Sequence, residues 1–116
     1  MKMKKETISL NDFTKIDLRV GTIIDAEIFL EARKSAYKIW VDFGYIGVMK
    51  TSAQITKNYS ISELIGQQII GIINFPKKQI GNIKSEFLLL GAVNNNDDNV
   101  IIIQPKSTVD NGSRIS

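Results

Sequence analysis

The 116-residue sequence contains no cysteine and no histidine. The first absence excludes disulfides, thiolate catalysis and cysteine-based zinc sites. The second removes an imidazole base, a Ser-His triad and histidine metal ligands. Carboxylates, lysines and tyrosines remain, but the usual near-neutral proton carrier is missing. No run approaches the roughly 18 consecutive apolar residues of a membrane span. The N-terminus reads Met1-Lys2-Met3-Lys4-Lys5-Glu6, and the apolar stretch of about 7 to 15 residues that marks a secretory signal does not follow it. A cytoplasmic protein with no membrane insertion is expected. Gly21, Gly44, Gly47 and Gly81 form no phosphate-binding glycine motif. The run from Asn94 to Asn99 lacks the spaced oxygens and closing Glu of a calcium loop.

What is present suits one domain. Hydrophobic residues make up 43 % and charged residues 23 %, ordinary values for a packed globular chain. The net charge of +3 is mildly basic, so only the placement of the charges is informative.

Arg19 to Ile28 alternates and reads as a long strand, with Val20, Thr22, Ile24, Ala26 and Ile28 on one face. Tyr37 to Phe43 alternates as well, placing Tyr37, Ile39, Val41 and Phe43 inward and Lys38, Trp40 and Asp42 outward. After a turn at Gly44, Tyr45 to Thr51 reads as a third strand. Ser60-Ile61-Ser62-Glu63 fits a capping box, and Gly66 stands where a left-handed helix stop is needed. Gln67 to Ile73, Phe87 to Val93 and Val100 to Gln104 read as further strands. Asn74 to Glu86 reads as a long polar loop, Asn94 to Asn99 as a hairpin tip and Asn111-Gly112 as a turn. Asn11 or Asp12 is placed to cap a helical turn ending near Lys15, and a second turn is expected between Ala53 and Lys57.

Three strands, a short helix and two or more strands match the all-β OB-fold, a five-stranded Greek-key barrel with a helix between strands three and four. Other small barrels and β-rich α+β folds share this order. OB-folds bind oligonucleotides on strands two and three and on the loops joining strands one to two and four to five. The first loop carries Arg33 and Lys34. The second carries Lys77, Lys78 and Lys84, and Lys38 and Lys50 lie on the strands between. Seven of the fifteen basic residues therefore fall where phosphate would be met, and lysine and arginine bind phosphate by releasing its counterions. The plain alternative is that loops are polar and lysine is common in them. Trp40 and Phe75 can stack on bases or simply pack. Asn74 can read a base edge or brace a turn.

Several segments are familiar. Asp12-Phe13-Thr14-Lys15-Ile16-Asp17-Leu18-Arg19-Val20-Gly21 resembles the opening of the tRNA-binding-domain family. That family includes the C-terminal domain of many methionyl-tRNA synthetases and the core of endothelial monocyte-activating polypeptide II. Glu31 to Lys38, Thr51 to Thr56, Asn74 to Glu86 and the tail Asn111 to Ile115 most resemble its CsaA branch of export-related chaperones. The resemblance implies an OB barrel with short N- and C-terminal additions that build a homodimer. It also implies no catalysis and no cofactor. The implied partners are tRNA or other structured or single-stranded RNA, and unfolded or exported polypeptides. Asn74, Lys77, Lys78 and Ser85 match polar positions of the family's RNA-contacting loop. Lys38 and Ser52 match positions on its strands. Phe75, Ile80 and Ile83, interspersed with these lysines, are the candidates for gripping peptide. Phe75-Pro76 shortens a Leu-Lys-Pro stretch, Lys78 replaces a frequent arginine, and Glu86 is expected to repel phosphate. These departures favour the CsaA branch.

Overall fold

The computed structural model describes residues 4–97 and 99–116. Met1, Lys2 and Met3 of the basic N-terminal stretch, and Asp98 of the expected hairpin tip, lie outside the described residues. Two short helices, α1 (Leu10–Thr14) and α2 (Ile61–Leu64), accompany the strands. The main strands are β1 (Leu18–Ile28), β2 (Tyr37–Asp42), β3 (Val48–Ala53), β4 (Gln68–Ile72) and β7 (Leu88–Leu89). They form one antiparallel sheet in the order β3-β2-β1-β4-β7. The chain closes it towards a barrel where Glu86 N–H donates to the Lys50 carbonyl at 2.8 Å. Thr51 Oγ1 donates to the Phe87 carbonyl at 2.7 Å beside it. This is the expected OB arrangement, with α2 between β3 and β4.

The inner face of β2 is as its alternation requires. Tyr37, Ile39, Val41 and Phe43 are buried with Ile55, Leu64, Ile69 and Phe87 in one core. Phe43 and Phe87 meet edge to face at 5.1 Å between ring centroids, a favoured aromatic geometry.

β1 departs from its simple alternation. Thr22 pairs with Asp42 and Ile23 with Val41, yet Asp25 pairs with Trp40. Ile24 is the extra residue of a β-bulge, which exchanges the faces of everything beyond it. The inward positions are therefore Gly21, Ile23 and Ala26. Ile23 is 0 % exposed, whereas Ile24 is 47 % exposed, and Ile28 also faces solvent. Val20 is buried, but it lies on the opposite face with Leu18 and Ile72, apart from the main core. The C-terminal tail runs along that half of β1. Val20 N–H donates to the Ser113 carbonyl at 2.9 Å, and Gly112 and Ile115 N–H donate to the carbonyls of Val20 and Leu18.

Other boundaries shift for local reasons. Gly44–Ile46 is a 3-10 turn, so the third strand begins at Val48 instead of Tyr45. Ser9, not Asn11 or Asp12, caps α1. Asp12 is its reciprocal partner in a capping box. The box at Ser60 and Glu63 caps α2, and Gly66 follows with φ of 89°. The turn after β3 occupies residues 56–58. The segment expected as one strand from Phe87 splits. β7 stays in the barrel, while β8 (Gly91–Val93) pairs with β9 (Val100–Ile102) in a separate hairpin. The long loop after β4 carries a hairpin of its own, β5 (Lys78–Ile80) and β6 (Ile83–Ser85).

Candidate nucleic-acid interface

The β1–β2 loop and the β5–β6 hairpin come from distant parts of the chain, and an apolar cluster joins them. Phe29 and Ala36 from the loop bury against Ile83 of the hairpin, with Ala32 and Ile80 packed alongside. Gly81 makes the approach possible. A Cβ there would stand 3.0 Å from the Phe29 ring, and the backbone φ of 56° disfavours any side chain. Lys38 reaches the same place from β2, its ammonium 5.0 Å from the centre of the Phe29 ring. Its Nζ also lies 3.7 Å from Glu31 Oε1.

Ile83 is therefore a packing residue. At 3 % exposure it offers no surface to a peptide, and Ile80 leans into the same cluster. The half-exposed Phe75 is the apolar candidate that does face solvent.

A groove of about 270 Å³ runs between β3 and the β5–β6 segment. Ser52, Phe75, Lys78, Ile80 and Ser85 line it. Ser52 is outward because it pairs with Lys38, as Lys50 pairs with Trp40. Ser85 Oγ sits 2.7 Å from Thr51 Oγ1, which fixes the groove floor to the barrel. One cation unpaired among the described residues, the Glu86 carboxylate held by Lys50 and Lys77, hydroxyls and an exposed aromatic ring thus share one channel, a combination suited to phosphate contact at Lys78 beside base stacking.

Glu86 is held against two lysines. Its carboxylate accepts from Lys50 N–H at 2.9 Å and lies 3.7 Å from Lys50 Nζ and 3.4 Å from Lys77 Nζ. Burial pushes this carboxyl up. The hydrogen bond from Lys50 and the charges of Lys50 and Lys77 outweigh burial, so its pKa lies below the ordinary value. Lys50 and Lys77 are consequently partly neutralised, while Lys78 has no ion-pair partner among the described residues.

Asn74 is a brace. Its Oδ1 accepts from Asp17 N–H at 2.9 Å and its Nδ2 donates to the Lys15 carbonyl at 2.7 Å. Arg33, Lys34 and Lys84 line no part of the β3 groove. Arg33 borders a hollow under Leu30 and Thr56. Lys34 faces a separate groove beside Lys57. Strand-and-loop reasoning passes over Lys57, which lies in the turn before α2. The polar residues Gln54, Thr56 and Asn58 around it are its signal in the sequence. Among β1 and β2, Trp40 is flanked by Asp25 on one side and Lys50 on the other. Glu27 and Asp25 keep the β1 side of this face acidic.

The model of the putative tRNA binding domain family matches residues 18–114. The methionine–tRNA ligase of Porphyromonas gingivalis is 34 % identical over 110 residues, which is 95 % of this chain and 16 % of that enzyme. The methionine–tRNA ligase of Thermococcus onnurineus is 35 % identical over 112 residues, 97 % of this chain and 15 % of the enzyme. The chain thus spans a small part of the length of these curated relatives. Among solved structures, the chaperone CsaA of Bacillus anthracis superposes with a TM-score of 0.90 at 44 % identity, covering 96 % of this chain and 100 % of that one. The CsaA chaperone of Picrophilus torridus gives 0.88 at 47 % identity, covering 95 % and 100 %.

Proposed function

Since the chain belongs to the putative tRNA binding domain family, we propose that it is a non-catalytic, CsaA-like binding protein of the cytoplasm. As a homodimer it binds tRNA and holds unfolded or exported polypeptides. The observation that carries the RNA reading is the groove that places Lys78, Ser52 and Ser85 beside the exposed ring of Phe75. A cation, hydroxyl donors and a free aromatic face are what an unpaired nucleotide uses for phosphate contact and stacking. The likeness to two CsaA chaperones over nearly the whole of each chain favours the polypeptide reading. Phe75, Pro76 and Ile80 give the groove an apolar wall for it.

The homodimer is supported by apolar side chains left exposed at the N-terminal end, Ile8, Leu10 and Ile16. A groove of about 550 Å³ lies beside them, bounded also by Phe13, Arg114 and Ile115. A domain of this size gains proportionally from burying such surface in a pair.

Gel retardation with total tRNA at two salt concentrations tests the RNA reading. Lys77→Glu/Lys78→Glu is expected to abolish the shift, and unchanged binding overturns the site. Suppression of aggregation of a denatured client tests the chaperone reading, with Phe75→Ala expected to weaken it. A service as a docking module for a synthetase predicts neither activity. Sedimentation of Leu10→Asp is expected to give a monomer.

A further inference from the structure

The groove that holds Lys34 and Lys57 is not part of the β3 groove. It has a volume of about 500 Å³ and lies between the β1–β2 loop, the turn before α2 and the base of the β8–β9 hairpin. Two ammonium groups border it. Ser35, Thr56, Gln54 and Asn99 supply hydroxyl and carboxamide groups, and among the described residues no carboxylate lines it. Lys34 and Lys57 are both exposed and form no ion pair among the described residues. They differ in this from Lys50 and Lys77, which Glu86 partly neutralises.

Its apolar lining is slight. Ile55 is buried beneath the floor and Val100 is half-buried. An extended polypeptide would need apolar pockets for alternate side chains or an open strand edge, and the lining offers neither in quantity. Donors for phosphate oxygens dominate instead.

The two grooves border neighbouring residues of one chain segment. Ser52 borders the first and Gln54, two residues on, borders the second. We propose that the Lys34–Lys57 groove is a second arm of the RNA site, taking the sugar-phosphate backbone of an unpaired stretch that continues past the end of β3. This rests on the RNA-binding reading of the β3 groove.

The test is a fluorescence titration of the full chain with labelled total tRNA across a series of salt concentrations. The variants are Lys34→Ala/Lys57→Ala and Lys77→Glu/Lys78→Glu, with Lys106→Ala as a control that lines neither groove. The Lys34/Lys57 pair is expected to lower affinity at least about fivefold at low salt and to reduce the log–log salt slope by about 1.4, roughly 0.7 per phosphate contact. Its melting temperature should match that of the parent, since neither lysine holds another element.

If this pair binds like Lys106→Ala while Lys77→Glu/Lys78→Glu is impaired, the second arm is wrong and the β3 groove stands. If the unmodified chain does not bind tRNA, both readings fall. A pair that keeps full tRNA affinity but no longer protects a denatured client reassigns this groove to polypeptide and overturns the proposal.

Discussion

Glu86 and Lys50 grip each other twice. Glu86 N–H donates to the Lys50 carbonyl at 2.8 Å, and the Glu86 carboxylate accepts from Lys50 N–H at 2.9 Å. One residue thereby closes the barrel between β3 and the loop segment and holds two lysine ammonium groups. Removing the carboxylate is expected to act in opposite directions on stability and on RNA contact.

Glu86→Ala is expected to cost about 1–3 kcal/mol of unfolding free energy, because it leaves the Lys50 N–H without its charged acceptor. Glu86→Gln keeps an acceptor and should cost less. Both should raise tRNA affinity at low salt by freeing Lys50 and Lys77. Urea denaturation and tRNA titration check the two halves separately.

The same carboxylate makes stability depend on pH. Its folded pKa lies below the ordinary carboxylate value, so the native state favours the ionised form. The stabilisation is present above the ordinary range and is lost as pH falls through and below it. Melts of the parent and of Glu86→Gln, run at neutral pH and again in acid, should converge in acid. A gap that widens on acidification contradicts this.

Ile83→Ala is expected to destabilise the chain by about 2–4 kcal/mol, the usual range for emptying a buried aliphatic site. Gly81→Ala should cost more than about 1 kcal/mol, since it forces a side chain into a positive-φ position facing Phe29. In both variants hydrogen exchange should quicken at the β5–β6 amides before it quickens in β2. Equal acceleration throughout would mean that the loop cluster is not a separate unit.

Asn74→Ala separates a brace from a base reader. Losing the bonds to Asp17 and Lys15 should cost about 1 kcal/mol, and tRNA affinity should stay within about twofold at fixed salt, a change too small for a lost hydrogen bond to a base. A large fall in affinity with unchanged stability would make Asn74 a ligand contact.

Arg19 ties β1 to the tail. Its guanidinium bonds Asp17 at 2.7 Å, the Tyr45 hydroxyl at 2.8 Å and the Gly112 carbonyl at 3.1 Å. Arg19→Ala should expose residues 105–116 to limited proteolysis while the barrel remains resistant. Mass spectrometry of the fragments would show which end is cut.

Much of this architecture was legible in local pattern. The alternation of Tyr37 to Phe43 leaves one register in which four large apolar side chains share a face. Ser60 and Glu63 carry a complete capping signal within four residues. The basic character of both loops is plain from their composition. Local pattern misled where an element ignores strict periodicity. Ile24 looks like its neighbours, and nothing near it announces an extra residue.

The amino-acid order alone determined the inward face of β2, the α2 cap, the barrel class and which loops are basic, because each depends on residues close in the chain. Only the tertiary structure decided which charges are available. Glu86 partly neutralises Lys50 and Lys77, Glu31 and Phe29 hold Lys38, and Asn74 is spent on the α1–β1 corner. Lys34 and Lys57, 23 positions apart in number, face one groove. These outcomes depend on contacts between distant segments, and a side chain's charge acts through its neighbours in space.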